Sequence, residues 1–224
     1  MSFVSGPIPF NGAALAEELS SVYPAFSKQS GYTSDCIFGS TGTYILCTNS
    51  SDAGVYQHSG TPASADYSVF ADIAHPNSNS TNPYIGVIGR AAAATTTFYL
   101  VYYDNANTRF SLYRVNSGSA TQLGSHYTYT LTSTVVNLEL RMSGSDISVH
   151  LDGGSAVISA TDGSPITAAG KAGIYCLAMR QSGVSDSGSL DNFDAIDAGG
   201  GGSSYTPLTG GLTRGILTKG RLIS

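Results

Sequence analysis

The chain has 224 residues, of which 11% are charged and 41% hydrophobic, with 14 tyrosines, no tryptophan and a formal charge of −5. That length suits one large β domain or two small ones and is no obstacle to a real core, and the charged fraction is well below the roughly 25% usual in globular chains. Arg214, Lys219 and Arg221 are the only charges after Asp197, so the end carries +3 and the rest, with seven basic against fifteen acidic residues, −8. No basic stripe is available to neutralise phosphates, which excludes nucleic acid as an expected partner.

Residues Met1 to Pro9 read as an extended N-terminal arm, because Pro7 and Pro9 deny it regular structure. The arm has no basic, apolar export pattern. No segment approaches the roughly 20 apolar residues of a membrane span, so a soluble chain without a membrane partner is expected. Asn11 to Leu19 is the one predicted helix. After Pro24, short strands are predicted at Cys36 to Gly39, Thr43 to Cys47, Val55 to His58, Asp66 to Ile73 and Tyr84 to Arg90, with the polar loop His75 to Pro83 between the last two. Phe98 to Tyr103 and Arg109 to Val115 flank the turn residues Asp104 to Asn107 and form a hairpin. Both of its faces are apolar or aromatic, so the pattern leaves open which is core.

Tyr127 to Leu131 leads into the clearest element. Val136, Leu138, Leu140 and Met142 alternate with polar residues, as do Ile147, Val149 and Leu151 after the cluster Ser143 to Asp146. This period-two pattern predicts a hairpin pairing Met142 with Ile147, Leu140 with Val149 and Leu138 with Leu151. Strands at Val157 to Ala160, Ala172 to Ala178 and Leu190 to Ile196 follow. Cys36 and Cys47 would face each other if their strands turn at Thr41-Gly42. A cross-strand disulfide is then geometrically possible, and buried reduced cysteines are the simpler reading.

The run Asp66 to Ile73, Tyr84 to Arg90, Phe98 to Asp104, Asn137 to Arg141, Ile147 to Gly153, Gly170 to Tyr175 and the closing Leu190-Asp-Asn-Phe-Asp194 resembles the laminin-G-like or concanavalin-A-like jelly roll. The resemblance implies an all-β, two-sheet antiparallel sandwich over residues 10–197. It is similar in texture to jelly rolls of bacteriophage particles, which implies a virion structural subunit, a capsid decoration or tail-associated protein, non-catalytic and homo-oligomeric. The alternative is a module binding cell-surface glycan. Residues 198–204 are a Gly/Ser linker and 205–224 a flexible tail too poor in apolar surface to fold alone. Leu208, Leu212, Arg214, Ile216, Leu217, Lys219, Arg221 and Leu222 are predicted to dock that tail on a virion neighbour or another copy.

No catalytic set is visible. The glutamates are Glu17, Glu18 and Glu139, without the one-strand carboxylate spacing of retaining glycosidases, and Asp191 and Asp194 should point to opposite faces. His58, His75, His126 and His150 are scattered, with His150 expected on a solvated face. Calcium in Asp104-Asn105-Ala106-Asn107 is chemically suitable, but these are also ordinary turn residues, so no cofactor or metal is assigned.

Overall fold

Among the described residues the alternating pattern becomes fifteen strands and one helical turn: α1 (Leu19–Val22), β1 (Phe26–Lys28), β2 (Cys36–Phe38), β3 (Ile45–Cys47), β4 (Ala53–His58), β5 (Tyr67–Ala74), β6 (Tyr84–Ala91), β7 (Phe98–Asp104), β8 (Arg109–Asn116), β9 (Ser119–Gln122), β10 (Tyr127–Thr128), β11 (Val136–Ser143), β12 (Asp146–Leu151), β13 (Ala156–Thr161), β14 (Lys171–Leu177) and β15 (Ser189–Asp197). This computed structural model describes residues 3–4, 6–10, 17–38, 45–47, 53–74, 84–132, 135–177 and 189–198. The tail residues Leu208 to Leu222 named above lie outside them, as does His75. No described helix is long and apolar enough to cross a membrane.

The strands form two antiparallel sheets and a ribbon. One sheet runs β1-β4-β14-β6-β7-β8-β10 with β9 added on β8, the other runs β13-β12-β11-β5-β15, and β2 pairs with β3. The β11–β12 hairpin has the register set by its aliphatic face, with Leu138 opposite Leu151, Leu140 opposite Val149 and Met142 opposite Ile147. These side chains meet Val69, Ala71 and Ile73 of β5 and Val87, Val101 and Ile174 of the larger sheet in one core between the sheets. The structure thus answers the question left open by the β7–β8 hairpin: Tyr99, Val101 and Tyr103 face this core, and Phe98 and Leu100 belong to a second apolar cluster on the reverse of the same strands.

Most of the predicted helix Asn11 to Leu19, residues 11–16, lies outside the described residues. The described helix begins at Leu19, where the predicted one ended, after Glu18 in an extended conformation, and is only four residues long. At the described end of the predicted helix Glu18 bridges Ile37, and Leu19 is buried in the core. Residues 3–4 and 6–10 lie against β15, with Ile8 bridging Phe193, Phe3 N–H donating to Ala195 O, and Val4 and Phe10 fully buried.

One end of the sandwich is held by buried arginine. Arg90 is 1% exposed, and its guanidinium donates to Ala65 O (2.7 Å), Gly144 O (2.8 Å) and Ile166 O (2.7 Å), pairs with Asp66 (3.3 Å) and lies 5.6 Å from the Tyr99 ring centroid. Its backbone is left-handed at φ 49, a conformation that costs an ordinary residue about 1–3 kcal/mol and persists where the surroundings fix it. Gly170 runs so close that a Cβ there would lie 2.3 Å from Arg90 C. Next to it Arg114 bonds Asp162 (2.5 Å) and Ser164 O (2.7 Å), and Tyr99 OH donates to Asp162 (2.8 Å).

Leu140, fully buried opposite Val149, should lose about 2–5 kcal/mol of stability on truncation to Ala, measured by urea denaturation. A loss under about 0.5 kcal/mol would place that face in solvent.

His58 yields a pH prediction. Its ring packs against Phe26 (5.1 Å) and Phe193 (6.0 Å), and its Nδ1 accepts from Gly60 N–H (2.9 Å). Burial, reinforced by the Lys171 cation, pushes its pKa down. The unfolded state therefore takes up a proton near pH 6.5 that the folded state refuses, so stability should fall as pH drops below about 6.5. Asp191, whose carboxyl is pushed up chiefly by burial, acts in the opposite sense. The check is the urea midpoint at pH 7.5 and 5.5 for wild type and His58→Gln: the variant should lose less on acidification, and equal losses would clear His58 of the effect.

Candidate functional site

The outer faces of the two sheets differ in chemistry. On the five-stranded sheet it is a polar lattice. Asn137 and Asn192 donate to the two oxygens of Asp72 (2.9 and 2.8 Å), and Glu139 accepts from Ser68 Oγ (2.8 Å) and from Arg141 Nε (2.9 Å) and Nη2 (3.1 Å). His150 is on the outward side of β12 as predicted but is not solvated. It is 8% exposed, hydrogen-bonded through Nε2 to Ser148 Oγ (3.0 Å) and through Nδ1 to Gly154 O (2.9 Å). A β-bulge falls between Asp191 and Asp194. Asp191 accepts from the Phe10 and Asn192 N–H groups, and Asp194 from that of Ala195. Glu18 is likewise engaged, accepting from Ser20 Oγ (2.9 Å) and from Tyr56 OH. These carboxylates are tied into the fold.

The outer face of the larger sheet is aromatic. Cross-strand register sets Val55, Tyr175, Gly86, Tyr102 and Ser111 in one row over β4, β14, β6, β7 and β8. Leu177, Tyr84, Asp104 and Arg109 form the next row, and Gly173, Ile88, Leu100 and Tyr113 the row on the other side. Gly86 is essential to the arrangement. A Cβ there would lie 1.9 Å from Val101 O and 2.7 Å from Tyr102 Cα, and strands two apart are separated by roughly 9.5 Å. With no side chain between them, the Tyr102 and Tyr175 rings lean over the glycine to a centroid separation of 5.9 Å and an interplanar angle of 26°. Tyr102 also stacks on Tyr113 (5.7 Å, 4°) and takes Tyr84 edge-on (5.1 Å, 88°). All four tyrosines are half-buried.

One side of this patch is closed and the other is polar. Gln29 Nε2 donates to Ala92 O and Thr95 O (both 2.7 Å), and Tyr32 packs on Phe98 (6.2 Å), covering the end beyond Leu100. At the opposite end Asp104 accepts from Asn107 N–H (3.2 Å) and Asn107 Nδ2 (2.7 Å), so the sequence weighed for calcium forms a side-chain-closed turn. Asp104 also pairs with Arg109 (3.4 Å), whose Nε is buried without a hydrogen bond. Ser111 Oγ bonds His126 Nδ1 (2.7 Å), and burial followed by the Arg109 cation pushes His126 down. Burial, assisted by Tyr113, pushes the Tyr102 phenol up, so its hydroxyl stays protonated and can both donate and accept. Stacked rings bordered by a carboxylate, a guanidinium, a hydroxyl and a neutral imidazole suit a ligand with apolar C–H faces and many hydroxyls.

Sequence reasoning missed this site. Tyr84, Tyr102, Tyr113 and Tyr175 fall in predicted strands but on no predicted common face, because the β7–β8 hairpin is apolar on both faces and only the register across β14 and β6 brings Tyr175 to Tyr102. The glycine at 86, central in an otherwise apolar strand, is the available signal.

No family model matches the chain, and no curated protein sequence does. Solved structures do match in fold. A carbohydrate-binding module, CBM66 from Bacillus subtilis, has a TM-score of 0.58 at 15% identity over 77% of this chain and 96% of that one. A protein of unknown function with a galectin-like fold, also from Bacillus subtilis, has 0.56 at 11% over 84% and 97%. The exoplasmic/lumenal domain of VIP36 in a form bound to Ca²⁺ and Man2 has 0.55 at 13% over 90% and 89%, and a native glycosidic hydrolase has 0.52 at 9% over 78% and 90%. None of these named structures is a laminin-G or bacteriophage protein, so that side of the resemblance gains nothing from them; they place the chain in the galectin-like, concanavalin-A-like jelly-roll fold.

Proposed function

We propose that this chain is a non-catalytic glycan-binding module whose ligand lies on the outer face of the larger sheet, across Tyr84, Tyr102, Tyr113 and Tyr175. The observation that carries the reading is the tyrosine stack over Gly86 beside the Asp104–Arg109 pair. The resemblance in fold to a carbohydrate-binding module and to the Ca²⁺/Man2-bound form of the VIP36 exoplasmic/lumenal domain supports it. Against hydrolysis stand Glu139, on the far side of the sandwich and held by Arg141 and Ser68, and Glu18, held by Tyr56. The virion-subunit reading rests on sequence texture and on a tail outside the described residues, and no structural observation favours it.

The test is a glycan array followed by calorimetry on the tightest ligand. Wild type should bind at least one neutral oligosaccharide without cleaving it. Tyr102→Ala should weaken binding tenfold or more, about 1.4 kcal/mol, the scale of one lost aromatic contact, while its urea midpoint stays near that of wild type. Binding unchanged in Tyr102→Ala would remove the tyrosine face from the account.

A further inference from the structure

Among the described side chains, the sulfur that Cys36 meets is that of Cys176. The register does set Cys36 of β2 opposite Cys47 of β3, as predicted; the side chain of Cys47 is outside the described set. Cys36 Sγ lies 2.9 Å from Cys176 Sγ of β14, with the residues 0% and 1% exposed. The space for this contact is provided by a third strand. Gly54 of β4 is the cross-strand partner of Cys176, and a Cβ on it would fall 2.9 Å from Cys36 Sγ and 3.1 Å from Cys176 Sγ. Any side chain at 54 would push the sulfurs apart, so glycine there, like glycine at 86, serves side chains on its neighbours.

We propose that Cys36 and Cys176 are a disulfide-forming pair that, once oxidised, staples the β2–β3 ribbon to the larger sheet. With oxidised glutathione as oxidant, one cysteine thiolate attacks a glutathione sulfur and releases one glutathione thiolate. The second cysteine thiolate then attacks the mixed disulfide and releases the other. The protein loses two protons and two electrons, and one glutathione disulfide becomes two thiols. The bond would join residues 140 apart in sequence, and closing so long a loop restricts the unfolded chain strongly. Formation before the pair is buried, during folding, avoids any need for an oxidant to reach the core.

The experiment is refolding of the full chain from urea in a glutathione redox buffer, in wild type and Cys47→Ser, followed by peptide mapping without reduction. A peptide linking Cys36 to Cys176 is expected in both proteins, with a melting temperature roughly 5–15 °C above that of the same protein refolded with excess thiol. A Cys36–Cys47 or Cys47–Cys176 link in wild type, a glutathione adduct, or fully reduced folded protein at an oxidising ratio would each overturn the proposal. The link in both proteins without a rise in melting temperature would refute the stapling role.

Discussion

A charge buried at one end of the sandwich fixes how the two sheets meet. Arg90 belongs to the larger sheet, yet its guanidinium is bonded to carbonyls preceding β5, in the β11–β12 turn and in the segment before β14. Removing one partner of such a group leaves an uncompensated buried charge or unsatisfied carbonyls, which typically costs 3–5 kcal/mol. The geometry is correspondingly over-determined: the Arg90 N–H donates to Tyr67 OH, Asp66 accepts from both Arg90 and the Gly144 N–H, and Gly170 leaves the room. With that corner fixed, the aliphatic rows of β5, β11 and β12 can meet those of β6, β7 and β14 in one register only.

That fixed core decides what the outer faces can be. Alternation along a strand sends every second residue away from the core, and the two sheets use those positions differently. The smaller sheet fills them with carboxylates, amides and histidine that satisfy one another. The larger fills them with aliphatic and aromatic groups, of which Phe98, Leu100 and Val55 are covered while Tyr84, Tyr102, Tyr113 and Tyr175 stay half-exposed. A half-exposed aromatic row edged by polar groups is a poor way to finish a soluble surface and a good way to meet a sugar ring. Glycine is the shared device, since Gly86 admits the ring stack and Gly54 admits the sulfur pair.

Legibility in the sequence followed the contrast between faces. The β11–β12 hairpin could be read to the residue because one side is wholly aliphatic and the other polar. The β7–β8 hairpin could be located but not oriented, because Tyr99 and Tyr102 are equally buriable and a second apolar cluster lies behind the first. The short strands β1 and β9 went unseen: Phe26-Ser-Lys28 and Ser119 to Gln122 carry too few apolar residues to show a period, and they form by pairing with β4 and β8. The helical turn Leu19–Val22 was not legible, because Leu-Ser-Ser-Val is too short to show a helical period and forms where Leu19 is buried. The site itself is a property of register between strands far apart in sequence, which local patterning does not carry.

The most direct test is a nuclear magnetic resonance titration of protein labelled on its tyrosine rings with the tightest oligosaccharide selected on a glycan array. The glycan-face account predicts that the resonances of Tyr84, Tyr102, Tyr113 and Tyr175 move together and saturate at the binding stoichiometry, while those of the core residues Tyr67 and Tyr99 stay in place. Saturable shifts on other tyrosines, with these four unmoved, would contradict it.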